Sequence, residues 1–298
     1  MGFFMKYGVI IIGGSYSGMS AALQLARARQ KILVLDGGKR RNRFADHSNG
    51  FLTQDGIAPD EIARTARQQL LAYPSVYWTD QMATDISGEK DHFTVSTDAS
   101  ERFHGKRIIL AIGVSDTLPD VKGLQERWGQ TVFHCPYCHG YELGQKDIAV
   151  IAVGENSVHQ ALMLPDWGAT TFFTDGRLTL NDEMSAKLAH RGVEVEHTPI
   201  ARITGSADVY LTDGRTLSFA GIFVASRNKP STSLGEGLGC AIEETPFGTQ
   251  LQTDANKETS IPGVFACGDV ARVPHSVALA VADGAWAGAS AHGTLIFG

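Results

Sequence analysis

Cys135 and Cys138 stand three residues apart in the run His134-Cys135-Pro136-Tyr137-Cys138-His139-Gly140. Cysteines at this spacing on the first turn of a helix can close a small disulfide ring. A helix N-terminus and a neighbouring imidazolium lower the thiol pKa towards the reactive thiolate. His139 follows the second cysteine, and its ordinary pKa near neutrality makes it the acid/base candidate for such exchange. Plainer readings stand beside these. Zinc needs two more ligands, but Cys240 and Cys267 are single and far apart in sequence, so no metal site is expected. Two inert core cysteines are disfavoured by the polar flanks. A surface or capping role is the plain alternative for His139.

A second constellation lies at the start of the chain. The β-branched run Tyr7–Ile12 leads into Gly13-Gly14-Ser15-Tyr16-Ser17-Gly18, then a helical stretch Met19–Ala28, then Lys31–Leu35 and Asp36. Strand, glycine turn, helix, strand and terminal acid form a dinucleotide fingerprint. Gly13 makes the turn, Gly18 allows close helix–strand packing, and Asp36 is placed for a ribose hydroxyl. A pyrophosphate would lie on the helix N-terminus. Ser15 replaces the middle glycine, and an ordinary tight βα turn is the alternative reading. The pattern returns from Asp147: strand Ile148–Val153, turn Gly154–Ser157, helix Val158–Trp167, strand Thr170–Phe173. This second turn, Ala152-Val153-Gly154-Glu155-Asn156-Ser157, keeps one glycine and puts Glu155 where a pyrophosphate would sit. The next strand ends in Thr174-Asp175-Gly176-Arg177, with no basic cluster for a 2′-phosphate.

The remaining elements position these sites. Pro59–Tyr73 has helical apolar spacing. Phe93–Ser96, Arg102–His104, Arg107–Ile112 and Gly221–Ala225 read as strands, and Ser226–Gly239 as a polar, glycine-rich stretch. Val264–Asp269 ends a strand, and Ser276–Ala289 reads as a helix with Trp286 in the core. The 298 residues suit two domains of about 100–200 residues each. The repeated βαβ pattern makes both Rossmann-like, an α/β three-layer architecture. The expected division is residues 1–114 with 247–298, and an inserted 115–246 carrying the cysteine pair. The 33 glycines cluster at turns, so they do not mark disorder. A net charge of −6, with no basic run longer than Lys39–Arg41, argues against nucleic acid. Met1–Lys6 reads as a ragged start, with Met5 an alternative initiator, and the apolar run after it is too short for a leader. Ser276–Gly298 is interrupted by Asp283, His292 and glycines, so no membrane span is expected. Four cysteines without a leader imply no disulfide framework and a cytoplasmic chain.

An N-terminal fingerprint, a Cys-x-x-Cys inside a second nucleotide-fold domain and a late Gly268-Asp269 together resemble the low-molecular-weight thioredoxin reductase family over essentially the whole chain. Cys135-Pro136-Tyr137-Cys138-His139-Gly140-Tyr141-Glu142 and Gly13-Gly14-Ser15 are closer to its dithiol oxidase branch, which closes disulfides in small natural products such as gliotoxin and holomycin. The resemblance implies FAD bound through Gly13, Ser15, Gly18 and Asp36, with Arg41 and Asn42 as flavin-contacting positions. Ala111-Ile112-Gly113 matches the family's Ala-Thr-Gly turn near FAD, with Ile112 replacing Thr. Asp269 would contact the ribityl–phosphate part, and the helix after Ser276 would aim its N-terminus at the flavin pyrimidine.

The implied chemistry is a redox disulfide, Cys135–Cys138, attacked at Cys135, with Cys138 facing the flavin and His139 moving the proton. Two departures bear on NADP(H): the reductases carry Asp where this chain has His139, and they carry a full glycine turn and a His-Arg-Arg cluster in the second domain. The first expectation is therefore oxidation of a small dithiol by O2 or another acceptor. The alternative runs from NAD(P)H through FAD to a thioredoxin-like protein. A redox sensor without turnover is the reading from another class. The family also implies a homodimer.

Overall fold

The structure, a computed structural model, describes residues 6–298. The ragged start expected for Met1–Lys6 lies outside the described residues except for Lys6, which opens the first strand. The chain forms two compact units. One is Met1–Arg41, Pro59–Ser115 and Asn228–Gly298; the other is Asn42–Ala58 and Asp116–Arg227.

The first unit opens with β1 (Lys6–Ile12), α1 (Tyr16–Arg27) and β2 (Ile32–Leu35), the expected βαβ unit. β1 and β2 pair in parallel, and their apolar residues are buried, as in a sheet covered on both faces. α2 (Pro59–Leu71) starts on a proline, with Asp60 and Glu61 complementing the helix dipole in its first turn. Then follow β3 (Val76–Thr79), β4 (Ala83–Ser87), β5 (Phe93–Thr97) and β6 (Arg102–Leu110), in the sheet order β3-β2-β1-β6-β5-β4. The two strands expected at Arg102–His104 and Arg107–Ile112 are one strand that stops at Leu110. Arg107, just past the expected break at Gly105–Lys106, is held in the strand through its buried guanidinium. Nη1 donates to Asp91 at 2.8 Å, Nε to the Thr294 hydroxyl at 2.8 Å and Nη2 to the Thr294 carbonyl at 2.7 Å. β7 (Val114–Thr117) ends this part.

The second unit runs through β8 (Val132–Phe133), α3 (Pro136–His139), β9 (Ile148–Ile151), α4 (Asn156–Met163), β10 (Thr170–Phe173), α5 (Asp182–His190) and β11 (Glu194–Glu196). An antiparallel meander follows, β12 (Ile200–Thr204), β13 (Asp208–Leu211) and β14 (Thr216–Ser218), and then β15 (Gly221–Val224). The main sheet is parallel, in the order β11-β10-β9-β15-β8. α4 is shorter than expected. It gives way to a 3-10 turn, Leu164–Asp166, because Pro165 cannot continue the α-helical ladder.

The chain returns to the first unit through β16 (Arg227–Pro230), α6 (Leu234–Gly237), β17 (Ile242–Thr245) and β18 (Gly248–Leu251). The stretch read as polar and glycine-rich thus holds a strand and one helical turn. β19 (Val264–Ala266) pairs parallel with the end of β6, and α7 (Val277–Phe297) follows, ending eight residues later than expected. α7 packs closely on α1. A Cβ on Gly284 or Gly288 would run into the backbone of Ser17 or Ala21. Trp286 is not in the core: it is 51 % exposed, and its indole N–H donates to the Ala255 carbonyl at 2.7 Å. Among the described residues no helix is long and apolar enough to cross a membrane.

Candidate active site

The first unit assembles the N-terminal fingerprint at the carboxyl ends of its parallel strands, where ligands of open α/β sheets bind. Gly13 takes φ +109°, and a Cβ there would strike the Ala111 carbonyl; a Cβ on Gly18 would strike the Gly13 carbonyl. Only glycine permits this approach of turn, helix and the Ala111-Ile112-Gly113 turn. Ser15 is the N-cap of α1, yet its side chain caps nothing, and no acid stands in the first turn. The first-turn amides thus meet no competing oxygen from Ser15. Asp36 Oδ1 accepts from the Gly38 amide at 3.0 Å and the Gly14 amide at 3.4 Å, which fixes it at the end of β2. Gly113 takes φ +67° and faces open space, while Ser231 holds the Ile112 carbonyl at 2.6 Å.

Late residues join the same unit. Arg41 Nη1 pairs with Asp269 at 3.0 Å and meets His275 Nδ1 at 2.7 Å, so two positions 228 residues apart meet. Gly268, at φ +75°, donates its amide to Asp283 Oδ2 at 2.8 Å, and Asp283 Oδ1 pairs with Lys257 at 3.0 Å. α7 begins on a Ser276 cap with no acid in its first turn. An uncompeted helix N-terminus, a fixed acid, an Arg–Asp pair and a second helix N-terminus suit the phosphates, ribose and reducible ring of FAD. Asn42 follows Arg41 directly and begins the Asn42–Ala58 segment of the other unit.

In the second unit, β8 leads through His134 into the cysteine pair. Cys135 is extended, at φ −110°, and serves as N-cap of α3; Pro136 follows at the first helical position. Cys135 and Cys138 form a disulfide, with Cα atoms 5.4 Å apart. α3 is a single turn, so its dipole contributes little to thiol acidity. His139 stacks on Phe133, with ring centroids 4.3 Å apart at 18°. Its burial pushes the imidazole pKa down to about 4. Two residues outside the sequence motifs brace this turn. Asn49 donates its amide to the Cys138 carbonyl at 3.0 Å, and Gln160 donates to the His134 carbonyl at 2.7 Å. Neither carries a local sequence signal, because each reaches the turn from a distant element. Cys240 and Cys267 are buried and unpaired, and burial pushes the Cys267 thiol up to about 12.

The second glycine-poor turn spends its polar groups on itself. The Val153 amide donates to the Ser157 hydroxyl at 2.9 Å. Glu155 precedes α4 in helical conformation, without a side-chain cap. Asp175, the acid after β10, accepts from the Ile200 amide at 2.7 Å and from Arg177 Nε at 2.9 Å. Arg177 Nη2 donates to the Asp120 carbonyl at 2.9 Å. The Asp175 side chain is only 6 % exposed.

Comparison with known proteins agrees with this geometry. The family profile described as pyridine nucleotide-disulphide oxidoreductase matches residues 7–284. The oxidoreductase from Agrobacterium tumefaciens has a solved structure 55 % identical to this chain, with a TM-score of 0.96, covering 98 % of this chain and 99 % of that one. The crystal structure of HlmI is 32 % identical with a TM-score of 0.91, over 99 % of this chain and 95 % of that one. Thioredoxin reductase sirT of Leptosphaeria maculans is 30 % identical over 95 % of this chain and 92 % of its own length. The thioredoxin-reductase-like α/β fold and the thiol–disulfide chemistry expected from the sequence both stand. The chain is a flavin-dependent enzyme that belongs to the pyridine nucleotide-disulphide oxidoreductase family.

Proposed function

We propose that the chain is a dithiol oxidase that takes electrons from a small dithiol through Cys135–Cys138. The observation that carries this reading is the contrast between its two dinucleotide turns. The first keeps an uncompeted helix N-terminus and a placed acid. The second ties up its own amide, its acid and its arginine within the fold. An entry route for a nicotinamide is therefore unsupported, whereas the disulfide provides an entry route for thiols.

A substrate thiolate attacks Cys135 Sγ, the Cys135–Cys138 bond breaks, and Cys138 leaves as thiolate. The second substrate thiolate then attacks its own sulfur in the mixed disulfide. The product leaves as a cyclic disulfide, and Cys135 is released. His139 begins without a proton, because its site is buried. The new Cys138 thiolate supplies the negative charge that makes a proton on His139 favourable, so the imidazole takes the proton that the substrate's second thiol gives up as it becomes the attacking thiolate. FAD, when bound, would supply a two-electron sink for the Cys135/Cys138 dithiol with dioxygen as the final acceptor, so that overall dithiol and O2 become disulfide and hydrogen peroxide.

The name thioredoxin reductase carried by the sirT relative favours the opposite direction, from NADPH through FAD and the cysteines to a thioredoxin-like protein. One experiment decides. FAD-loaded protein is titrated without oxygen, with NADPH, NADH and dithiothreitol added separately. Bleaching by the dithiol alone, reversed by air, supports the oxidase. Rapid bleaching by NADPH overturns it. The homodimer belongs to this reading too, and light scattering on the FAD-loaded protein should return the mass of two chains.

A further inference from the structure

Tyr137 lies between the two cysteines and is 72 % exposed, and Tyr141 is 85 % exposed. The backbone stays helical across both. α3 runs on through Gly140, at φ −66° and ψ −37°, into a 3-10 turn, Tyr141–Leu143. A separation of four residues puts both rings on one face of that turn. Tyr137 does not stand alone. The Trp167 indole meets it edge-on, with centroids 5.3 Å apart at 88°. Trp167 also lies against Gly140, where a Cβ would come within 2.7 Å of the indole. The glycine therefore admits the tryptophan that braces Tyr137.

Single exposed aromatic rings are ordinary on protein surfaces. This pair differs by its place, on the turn that carries the redox disulfide, with one ring braced from behind. Of residues 135–143 only Glu142 bears a formal charge at neutral pH. An ionic substrate would find no cation on this turn, whereas a flat apolar ring would find two ring faces. Any substrate that reaches Cys135 comes to the turn that carries them.

We propose that Tyr137, braced by Trp167, and Tyr141 form an aromatic platform that selects uncharged dithiols carrying a flat ring next to the two thiols. The proposal rests on the dithiol oxidase reading and deepens it. Ring stacking favours such a substrate. A rigid ring also loses less freedom on binding than a flexible chain.

The test compares kcat/KM for peroxide release with benzene-1,2-dimethanethiol and with dithiothreitol, using FAD-loaded protein. The ratio of the two constants cancels general damage to the redox centre. In the Tyr137→Leu/Tyr141→Leu variant the aromatic-to-acyclic ratio should fall about tenfold, at a few-fold per lost ring contact. Most of that fall should lie in KM. Tyr137→Phe keeps the ring and should keep the ratio. An unchanged ratio in the double variant overturns the platform alone, as does a Tyr137→Phe loss equal to that of Tyr137→Leu. If neither dithiol reduces the wild-type flavin, the oxidase reading falls and the platform with it.

Discussion

At the scale of single residues, burial against Phe133 sets the charge of His139. Its pKa falls from the ordinary 6.5 to about 4 through loss of solvent, so the folded protein resists protonating it. The unfolded chain protonates first as pH falls. The stability that His139 contributes is therefore whole above pH 6.5 and is lost as pH falls from 6.5 to about 4. The shift corresponds to a loss on the order of 3 kcal/mol across that window. His139→Phe should remove this part of the pH dependence, and urea midpoints at neutral and mildly acid pH for both proteins check it. A steep loss that survives in the variant would assign the effect to other groups. Cys138 has a sharper signature. Cys138→Ser should keep FAD absorbance, since the dinucleotide turn lies in the other unit, yet its flavin should no longer bleach with dithiothreitol. Bleaching at the wild-type rate would sink the proposed exchange.

At the scale of elements, the approach of α7 to α1 carries the consequence that is easiest to measure. Gly284 faces the Ser17 backbone, which cannot swing aside as a side chain would. Gly284→Ala should force the helices apart and cost about 1–3 kcal/mol, the usual range for overpacking. The same shift should weaken FAD, because Asp283, the preceding residue, holds the Gly268 amide. Thermal melts and FAD titration of the apoprotein check both effects. Elements of this kind also show what the sequence made legible. The β1–α1–β2 unit was readable because β-branched runs, glycines and a terminal acid recur at short, fixed spacing. The sequence breaks β6 at Gly105–Lys106, where a glycine and a lysine look like a loop, while the partners of the adjoining Arg107, Asp91 and Thr294, lie 16 and 187 positions away. The bracing of the redox turn by Asn49 and Gln160 had no local signal for the same reason. Cys135 and Cys138 were legible because their pairing needs only a separation of three.

At the scale of the whole molecule, the chain repeats one nucleotide fold, and the two turns differ in how far their polar groups are engaged within the fold. Asp175 and Arg177 are engaged by the Ile200 amide, their own ion pair and the Asp120 carbonyl. Losing the part-buried bond from the Ile200 amide to Asp175, whose side chain is 6 % exposed, would cost roughly 1–3 kcal/mol, while the exposed arginine bonds count for less. A nicotinamide dinucleotide would have to offset that cost before gaining any affinity, and it would meet Glu155 at the turn. On the proposed oxidase reading electrons have one entrance, the disulfide, and the overall reaction is then fixed by conservation of electrons and protons. In air, each dithiol consumed should yield one hydrogen peroxide, and a saturating addition of NADPH should change neither the rate nor this ratio. Thiol loss, peroxide formation and NADPH absorbance followed in one reaction check all three terms. NADPH consumption that tracks peroxide would mean that the second turn opens in solution and that electrons enter through it.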